Sequence, residues 1–226
     1  MPDALAAERW DAEYRRGRYA DEPPLPFVGT ILDLVRRHPL GRDGTGLYVG
    51  CGNGRNYVPL VDAGLDLQGL DVSGEALAQL ATRRPDLGPL LHMADFRDFD
   101  PPVPLAYVIA IQVFQHGTRR EVASHFARVA ALLAPAGLFF LRVNSAATEV
   151  IRRHTVIEHG EHGSFSVRYR EGPKAGMAIH FYARAELEAL TRERFDTLVE
   201  PREEIIHRVP PERGFWAQWE AVYRRR

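Results

Sequence analysis

The chain has 226 residues, of which 45% are hydrophobic and 26% charged, and its formal net charge is −1 at pH 7. This is an ordinary globular composition, and it lacks the basic surface that nucleic-acid binding requires. Cys51 is the only cysteine, which excludes an internal disulfide and a cysteine-built metal site.

The start, MPDALAAERWDAEYRR, has no apolar core of a secretory signal, and no apolar run approaches a membrane span. Residues 4–16 read as a short helix carrying Leu5, Trp10 and Tyr14, broken by the prolines of YADEPPLPF. Helical spacing returns over 27–38 and stops at Pro39. GLYVG is a short buried-type strand, RNYVPLVDAG a helix closed by Gly64, and LDLQGLDV a second strand ending at Asp71. Ser73 is placed to cap the helix GEALAQLATRR. LLHMADF and LAYVIAIQVF are the third and fourth strands. Thr118 and Glu121 form a capping-box pattern before REVASHFARVAALL, and GLFFLRVN is the fifth strand. Strands alternating with helices through short loops predict a doubly wound α/β fold with a mostly parallel sheet.

After Asn144 the rhythm breaks. Residues 145–182 are polar and rich in glycine and histidine, with strand-like pieces FSVRYR and AIHFY. A helix follows in ARAELEALTRER, then EEIIHRV and FWAQWEAVY as strands joined by a Pro/Gly turn. A tight turn makes neighbouring strands antiparallel, so a seven-stranded sheet with an antiparallel C-terminal edge hairpin is expected. Residues 1–226 read as one domain, with 1–40 as an N-terminal helical cap and 145–182 as an insertion covering substrate.

The segment YVGCGNGRN, residues 48–56, carries the chemistry. Gly50, Gly52 and Gly54 follow the first strand, where a doubly wound sheet binds its ligands. A dinucleotide fingerprint needs glycine at position 55, which is Arg55, and a phosphate-binding P-loop needs a Lys-Ser/Thr pair that is absent. The remaining pattern suits a ligand without a pyrophosphate; a plain strand-to-helix turn is the alternative. Asp71 ends the second strand, where a carboxylate accepts both ribose hydroxyls, or else caps a helix. Asp95 and Phe96 follow the third strand and Gln112 ends the fourth.

Taken together, GCGNGRN, AGLDLQGLDVSGEAL, ADFRDF and VFQH…ARVAALLAPAGLFFLRVN resemble the class I S-adenosylmethionine-dependent methyltransferases over about residues 27–144. A narrower likeness is to the tellurite-resistance type and similar small-molecule methyltransferases. The resemblance implies S-adenosyl-L-methionine as cofactor, with its methionine part near the backbone around Gly50 and Gly52, and with Tyr48, Cys51, Gly54 and Asn56 among the cofactor contacts. It implies ribose at Asp71 and Val72, adenine at Asp95 and Phe96, and Gln112 near the ribose or methionine moiety. Trp10 and Tyr14 either close the cofactor pocket as a lid or simply pack their helix on the body. The family's acidic residue two positions before the first glycine is here Tyr48, and its aspartate at the start of the fourth strand is here Ala106-Tyr107. Tyr48 keeps open a second reading, a cofactor-binding sensor or partner subunit without turnover.

His116 in VFQH is the candidate general base or acceptor-orienting group, against a histidine satisfied by backbone. Arg142 and Asn144 share a strand face and are candidates to meet a substrate carboxylate or carbonyl, against an internal ion pair for Arg142. Phe114, His180 and Tyr182 are candidate substrate contacts, with Met177 and Phe181 lining the insertion. His154, His159, His162 and His180 match no standard metal spacing, and no metal is expected. Nucleic-acid methylation is disfavoured by the charge balance and by the lack of an Asn/Asp-Pro-Pro-Tyr/Phe signature; DFDPPVP precedes the fourth strand rather than following it. The expectation is a bacterial, cytoplasmic enzyme acting on a small molecule, with no nucleic-acid or membrane partner, as a monomer or homodimer.

Overall fold

Leu105–Ile111 is a run of seven residues, all buried, the pattern of a strand covered on both faces. In the computed structural model, which describes residues 4–20 and 22–226 apart from the side chains of residues 42 and 43, this run is β4. The first three residues of the proposed cap and Asp21 lie outside the described residues. β4 belongs to a seven-stranded sheet with β1 (Gly46–Val49), β2 (Leu67–Asp71), β3 (Leu91–Met93), β5 (Leu133–Asn144), β9 (Phe195–His207) and β10 (Phe215–Arg225). The strand order is β3-β2-β1-β4-β5-β10-β9. β1, β2 and β3 pair in parallel, while β10 and β9 are antiparallel. The mostly parallel sheet with an antiparallel edge is the expected one.

β6 (His154–His159), β7 (Phe165–Tyr169) and β8 (Ala178–Phe181) form a second, three-stranded sheet. β6 is missed by the sequence reading, because HTVIEH has no continuous apolar run and no buried residue. β5 begins at Leu133 rather than Gly137, and β9 at Phe195 rather than Glu203. The helices are α1 (Ala4–Arg15), α2 (Phe27–Arg37), α3 (Pro39–Asp43), α4 (Tyr57–Asp62), α5 (Gly74–Arg83), α6 (Arg119–Leu132) and α7 (Arg184–Thr191). Among the described residues, no helix is long and apolar enough to cross a membrane.

The chain divides into two compact units, Met1–Ile109 with Leu132–Leu138, and Ala110–Ala131 with Phe139–Arg226. In the first, Gly46 leaves room for the ring of Tyr107, whose hydroxyl donates to the Asp66 carbonyl at 2.7 Å. That packing explains a tyrosine at this position of β4. In the second, Thr118 and Glu121 form the expected cap of α6: the Thr118 amide and hydroxyl each donate to Glu121 Oε2 at 2.7 Å. Phe126 of α6 packs edge-on against Phe139 at 5.8 Å between centroids.

Candidate active site

The first unit holds the glycine loop. The amides of Gly50 and Cys51 both donate to the Leu70 carbonyl, at 2.7 and 3.1 Å, which fixes the loop to the end of β2. Gly52 has φ +55, and a Cβ there would lie 2.3 Å from the Tyr14 hydroxyl. Glycine is therefore required both by the backbone conformation and by close approach. At Gly54 a Cβ would lie 2.8 Å from Leu80 and Val58, so this glycine serves helix packing.

Asp71 is 8% exposed. Its Oδ2 accepts from the Gly52 amide at 2.7 Å and its Oδ1 from the Ser73 amide at 2.9 Å, and the Val72 amide also donates to it. Burial pushes this carboxyl up to about 6, against the lowering effect of the amide donors from Ser73, Gly52 and Val72. An ionised carboxylate has about four acceptor sites, so these three bonds leave capacity for one further hydroxyl donor. A buried, oriented carboxylate beside a glycine loop suits one hydroxyl of a vicinal diol.

Tyr14 lies over this loop. Burial, then the Asp71 charge, pushes its phenol far above the ordinary range, so it is a neutral hydrogen-bonding group. Trp10 lies 6.1 Å from it, ring to ring. The helix carrying both is anchored by Asp11, whose Oδ1 accepts from the Ser73 hydroxyl at 2.6 Å and the Glu75 amide at 3.1 Å. Ser73 in turn caps α5, accepting from the Ala76 amide at 3.1 Å. Asp11 thus places a negative charge at the N-terminus of α5, where the helix dipole favours it. Asp11→Ala should lower stability by about 1 kcal/mol and expose α1 to limited proteolysis. An unchanged melting temperature and cleavage pattern would reject the anchor.

Tyr48 is 2% exposed and meets Tyr57 edge-on at 6.1 Å, while the Tyr57 hydroxyl donates to the Leu67 carbonyl at 2.8 Å. The tyrosine is part of a packed aromatic pair in the body of the first unit. Cys51 of the glycine loop is buried, and burial holds its thiol well above the ordinary value. Asn56 Oδ1 accepts from the Leu25 amide at 2.8 Å. Arg55 bonds the Pro23 carbonyl and pairs with Glu22, and Asn53 bonds the Arg18 carbonyl. Asn53, Arg55 and Asn56 therefore hold Arg18, Glu22, Pro23 and Leu25 against the loop.

Asp95 and Phe96 are buried after β3. Arg97 grips both Asp95 oxygens, Nε at 2.9 Å and Nη2 at 2.6 Å, with its amide adding a third bond at 2.8 Å. Any amino group that binds Asp95 must share it with this guanidinium, a partner the sequence reading missed although it sits two residues away.

In the second unit, Gln112 leaves β4 with φ +58, a conformation uncommon outside glycine. Its amide donates to the Arg142 carbonyl at 2.7 Å. Asn144 is tied into an amide chain: Gln218 Nε2 donates to its Oδ1 at 2.7 Å, and its own amide donates to Gln115 Oε1 at 2.8 Å. His116 is half-buried in the loop leaving β4, and its imidazole is pushed down to about 3 by burial and then by the Lys174 charge.

Four of the substrate candidates have partners within the second unit. Phe114 is buried and stacks on His125 at 4.7 Å. Tyr182 is buried and donates to the Phe114 carbonyl at 2.5 Å. Arg142, 1% exposed, bonds Glu220 at 2.9 Å and Glu204. His180 is fully buried in a closed circuit that no sequence pattern announced. Its Nδ1 meets the Ser166 hydroxyl at 2.9 Å and its Nε2 meets Glu186 at 2.8 Å. Glu186 pairs with Arg119 at 2.8 Å, and Glu158 accepts from both the Ser166 hydroxyl and the Arg119 amide at 2.8 Å. Burial raises the Glu186 carboxyl, but His180 and Arg119 together hold it below its ordinary value.

Residues 47–137 match the family model described as a methyltransferase domain. No curated protein matches the sequence. Among solved structures, the chain is similar to Burkholderia thailandensis 1,6-didemethyltoxoflavin-N1-methyltransferase with bound S-adenosylhomocysteine, at a TM-score of 0.64 and 19% identity, over 98% of this chain and 88% of that one. It is similar to the S-adenosylmethionine-bound amino pentose methyltransferase CalS10 from Micromonospora echinaspora, at a TM-score of 0.60 and 20% identity, over 95% and 97%. It is also similar to TehB from Haemophilus influenzae, at a TM-score of 0.65 and 14% identity, over 96% and 67%. Residues 47–137 thus match a methyltransferase domain, and the fold, with its glycine loop, buried Asp71 and sheet order, is the one these methyltransferases share.

Proposed function

We propose that the protein is an S-adenosylmethionine-dependent methyltransferase acting on a small-molecule acceptor, and that its cofactor contacts lie in the first unit. The observation that carries the reading is the buried Asp71 carboxylate, oriented by the Gly52 and Ser73 amides at the end of β2. Those residues fit an adenosyl group: Asp71 accepts from a ribose hydroxyl, Gly52 permits close approach, and Phe96 offers an apolar ring for adenine. S-adenosylmethionine, when bound, supplies a methyl group activated by its sulfonium. The protein's task is alignment and exclusion of water. Tyr14 and Trp10 cover the loop side, with Asp11 holding their helix down.

His116 orients the acceptor rather than deprotonating it. An imidazole with a pKa near 3 is neutral at working pH but takes up a proton poorly. Two neighbours, named for a toxoflavin precursor and an amino pentose, support a small acceptor here. Their bacterial sources support a bacterial enzyme, and the net charge of −1 supports one without a nucleic-acid substrate. Calorimetric titration should give binding of S-adenosylmethionine and S-adenosylhomocysteine and none of NAD. An assay detecting S-adenosylhomocysteine over mixed small acceptors should then give turnover. Binding of NAD alone would sink the reading.

A further inference from the structure

A buried side-chain circuit in the second unit ties the three-stranded sheet to α6 and α7. Ser166 of β7 and His180 of β8 are fully buried, and Glu186 of α7 is 4% exposed. Glu158 Oε2 lies 2.8 Å from the Ser166 hydroxyl, that hydroxyl 2.9 Å from His180 Nδ1, and His180 Nε2 2.8 Å from Glu186 Oε2. Each of these three gaps needs one hydrogen to be a bond. The serine hydroxyl supplies one and a neutral imidazole one, while ionised carboxylates supply none. The circuit is therefore one proton short unless the imidazole carries both of its protons. Arg119 at the start of α6 donates from Nε to Glu186 Oε1 and from its amide to Glu158 Oε2, both at 2.8 Å. Donors to both carboxylates favour their ionised forms, which leaves the imidazole as the place for the extra proton. Two carboxylates, one guanidinium and one imidazolium then sum to zero, the balance that buried charges require.

The remaining groups around the imidazole agree with this count. The Tyr182 ring meets it edge-on at 4.5 Å, and burial raises that phenol well above the ordinary range, so it stays neutral. Ser164 also bonds Glu186, and Glu161 acts on Arg119 from the turn between β6 and β7. β8 is in turn bonded to two other segments. The His180 amide donates to the Gln115 carbonyl at 2.8 Å, and the Tyr182 amide that follows donates to the Asn144 carbonyl at 2.9 Å. We propose that the circuit is a proton-locked clamp: His180 holds both ring protons while the sheet is closed on α6 and α7, and loss of one as pH rises loosens β6–β8. Without that proton two lone pairs face each other in a buried position, and the cluster is left with a net negative charge. A proton held more tightly in the fold than in the unfolded chain stabilises the fold at low pH, and that contribution is lost as pH rises. The loosening reaches Gln115 in the loop leaving β4 and Asn144 at the end of β5, the carboxyl ends where a doubly wound sheet gathers ligands.

The test is nitrogen-15 NMR of the His180 ring in the full chain, assigned through its own backbone. At pH 7 both ring nitrogens should show a directly bonded proton, and a ring with only one overturns the proposal. Between pH 7 and 9 one of these protons should leave. Amide protection across β6–β8, corrected for the intrinsic rise of exchange with pH, should fall at least about tenfold with it. A proton retained at pH 9, or protection unchanged as it leaves, also overturns the clamp. Glu158→Gln tells the clamp from plain packing. Its carboxamide keeps an oxygen for the Arg119 amide and donates to Ser166, whose hydroxyl then donates to Nδ1, so the ring needs only its Nε2 proton. The variant's ring should show one bonded proton at pH 7, and its protection should stay flat up to pH 9. Two bonded protons in the variant reject the proton count. The wild-type spectra decide the proposal even where the variant fails to fold.

Discussion

Asp71→Asn is expected to weaken S-adenosylmethionine binding about a hundredfold. Each hydrogen bond to a charged acceptor contributes about 1.5–3 kcal/mol, and about 1.4 kcal/mol is tenfold in affinity. Both Asp71 oxygens already take backbone amides, from Gly52 and Ser73. An asparagine offers one oxygen where two are used, so one amide would face an NH2 group and the hydroxyl acceptor would lose its charge. The wild type should also show a pH signature. The carboxyl is raised to about 6, so ligand affinity is flat above that pH and falls towards tenfold per unit below it. Stability linkage at this residue has the opposite sign. A carboxyl with a raised folded-state pKa takes up its proton more readily in the fold than in the unfolded chain. Its ionisation therefore costs stability above about 6, and that cost is relieved as pH falls towards the unfolded value. Both signatures should vanish in Asp71→Asn. A dissociation constant that does not move between pH 5 and 7 in the wild type would remove Asp71 as the ribose acceptor.

The elements that could be read in advance are those whose signal is local. β4 is a continuous apolar run, the Ser73 and Thr118 caps are short-range patterns, and the glycine loop follows its strand directly. Side-chain commitments were harder to read because the partner is remote in sequence. Arg142 and Asn144 lie on one strand face, as their spacing requires, but Arg142 is claimed by Glu204 and Glu220 and Asn144 by Gln218. His180 looked like a lining residue until folding brought Ser166 and Glu186 to its two nitrogens. Tyr48 stands out in sequence only as a missing acid. In the fold it is an aromatic ring packed on Tyr57, a choice that Gly69 permits from the neighbouring strand: Tyr48 and Gly69 are register partners, and a Cβ on Gly69 would approach Tyr57 to 3.3 Å. A remote glycine of that kind is invisible to a pattern read along one segment.

Arg142→Met should be the most destabilising of the substitutions considered. Removing one member of a buried ion pair leaves the other charge uncompensated, at about 3–5 kcal/mol. In a chain of this size that corresponds to a fall in melting temperature of roughly 10 °C or more. Glu220 would be left facing Glu204, with only the exposed Arg202 at 3.5 Å in partial compensation. The Glu220 carboxyl is already raised, by burial first and by Glu204 as well, while Arg142 acts to lower it. Loss of Arg142 raises it further, so the variant's deficit should shrink on acidification, as protonation relieves the buried charge. Adding Glu220→Gln to Arg142→Met should recover most of the loss at neutral pH, because an unpaired buried charge is then replaced by a neutral amide. The same measurements separate a structural arginine from a substrate-binding one. The triad joins β5 to β10 and β9, whereas a substrate contact would leave the melting temperature alone and act on acceptor KM. A melting temperature within about 2 °C of wild type, or a deficit that grows as pH falls, would return Arg142 to the list of substrate contacts.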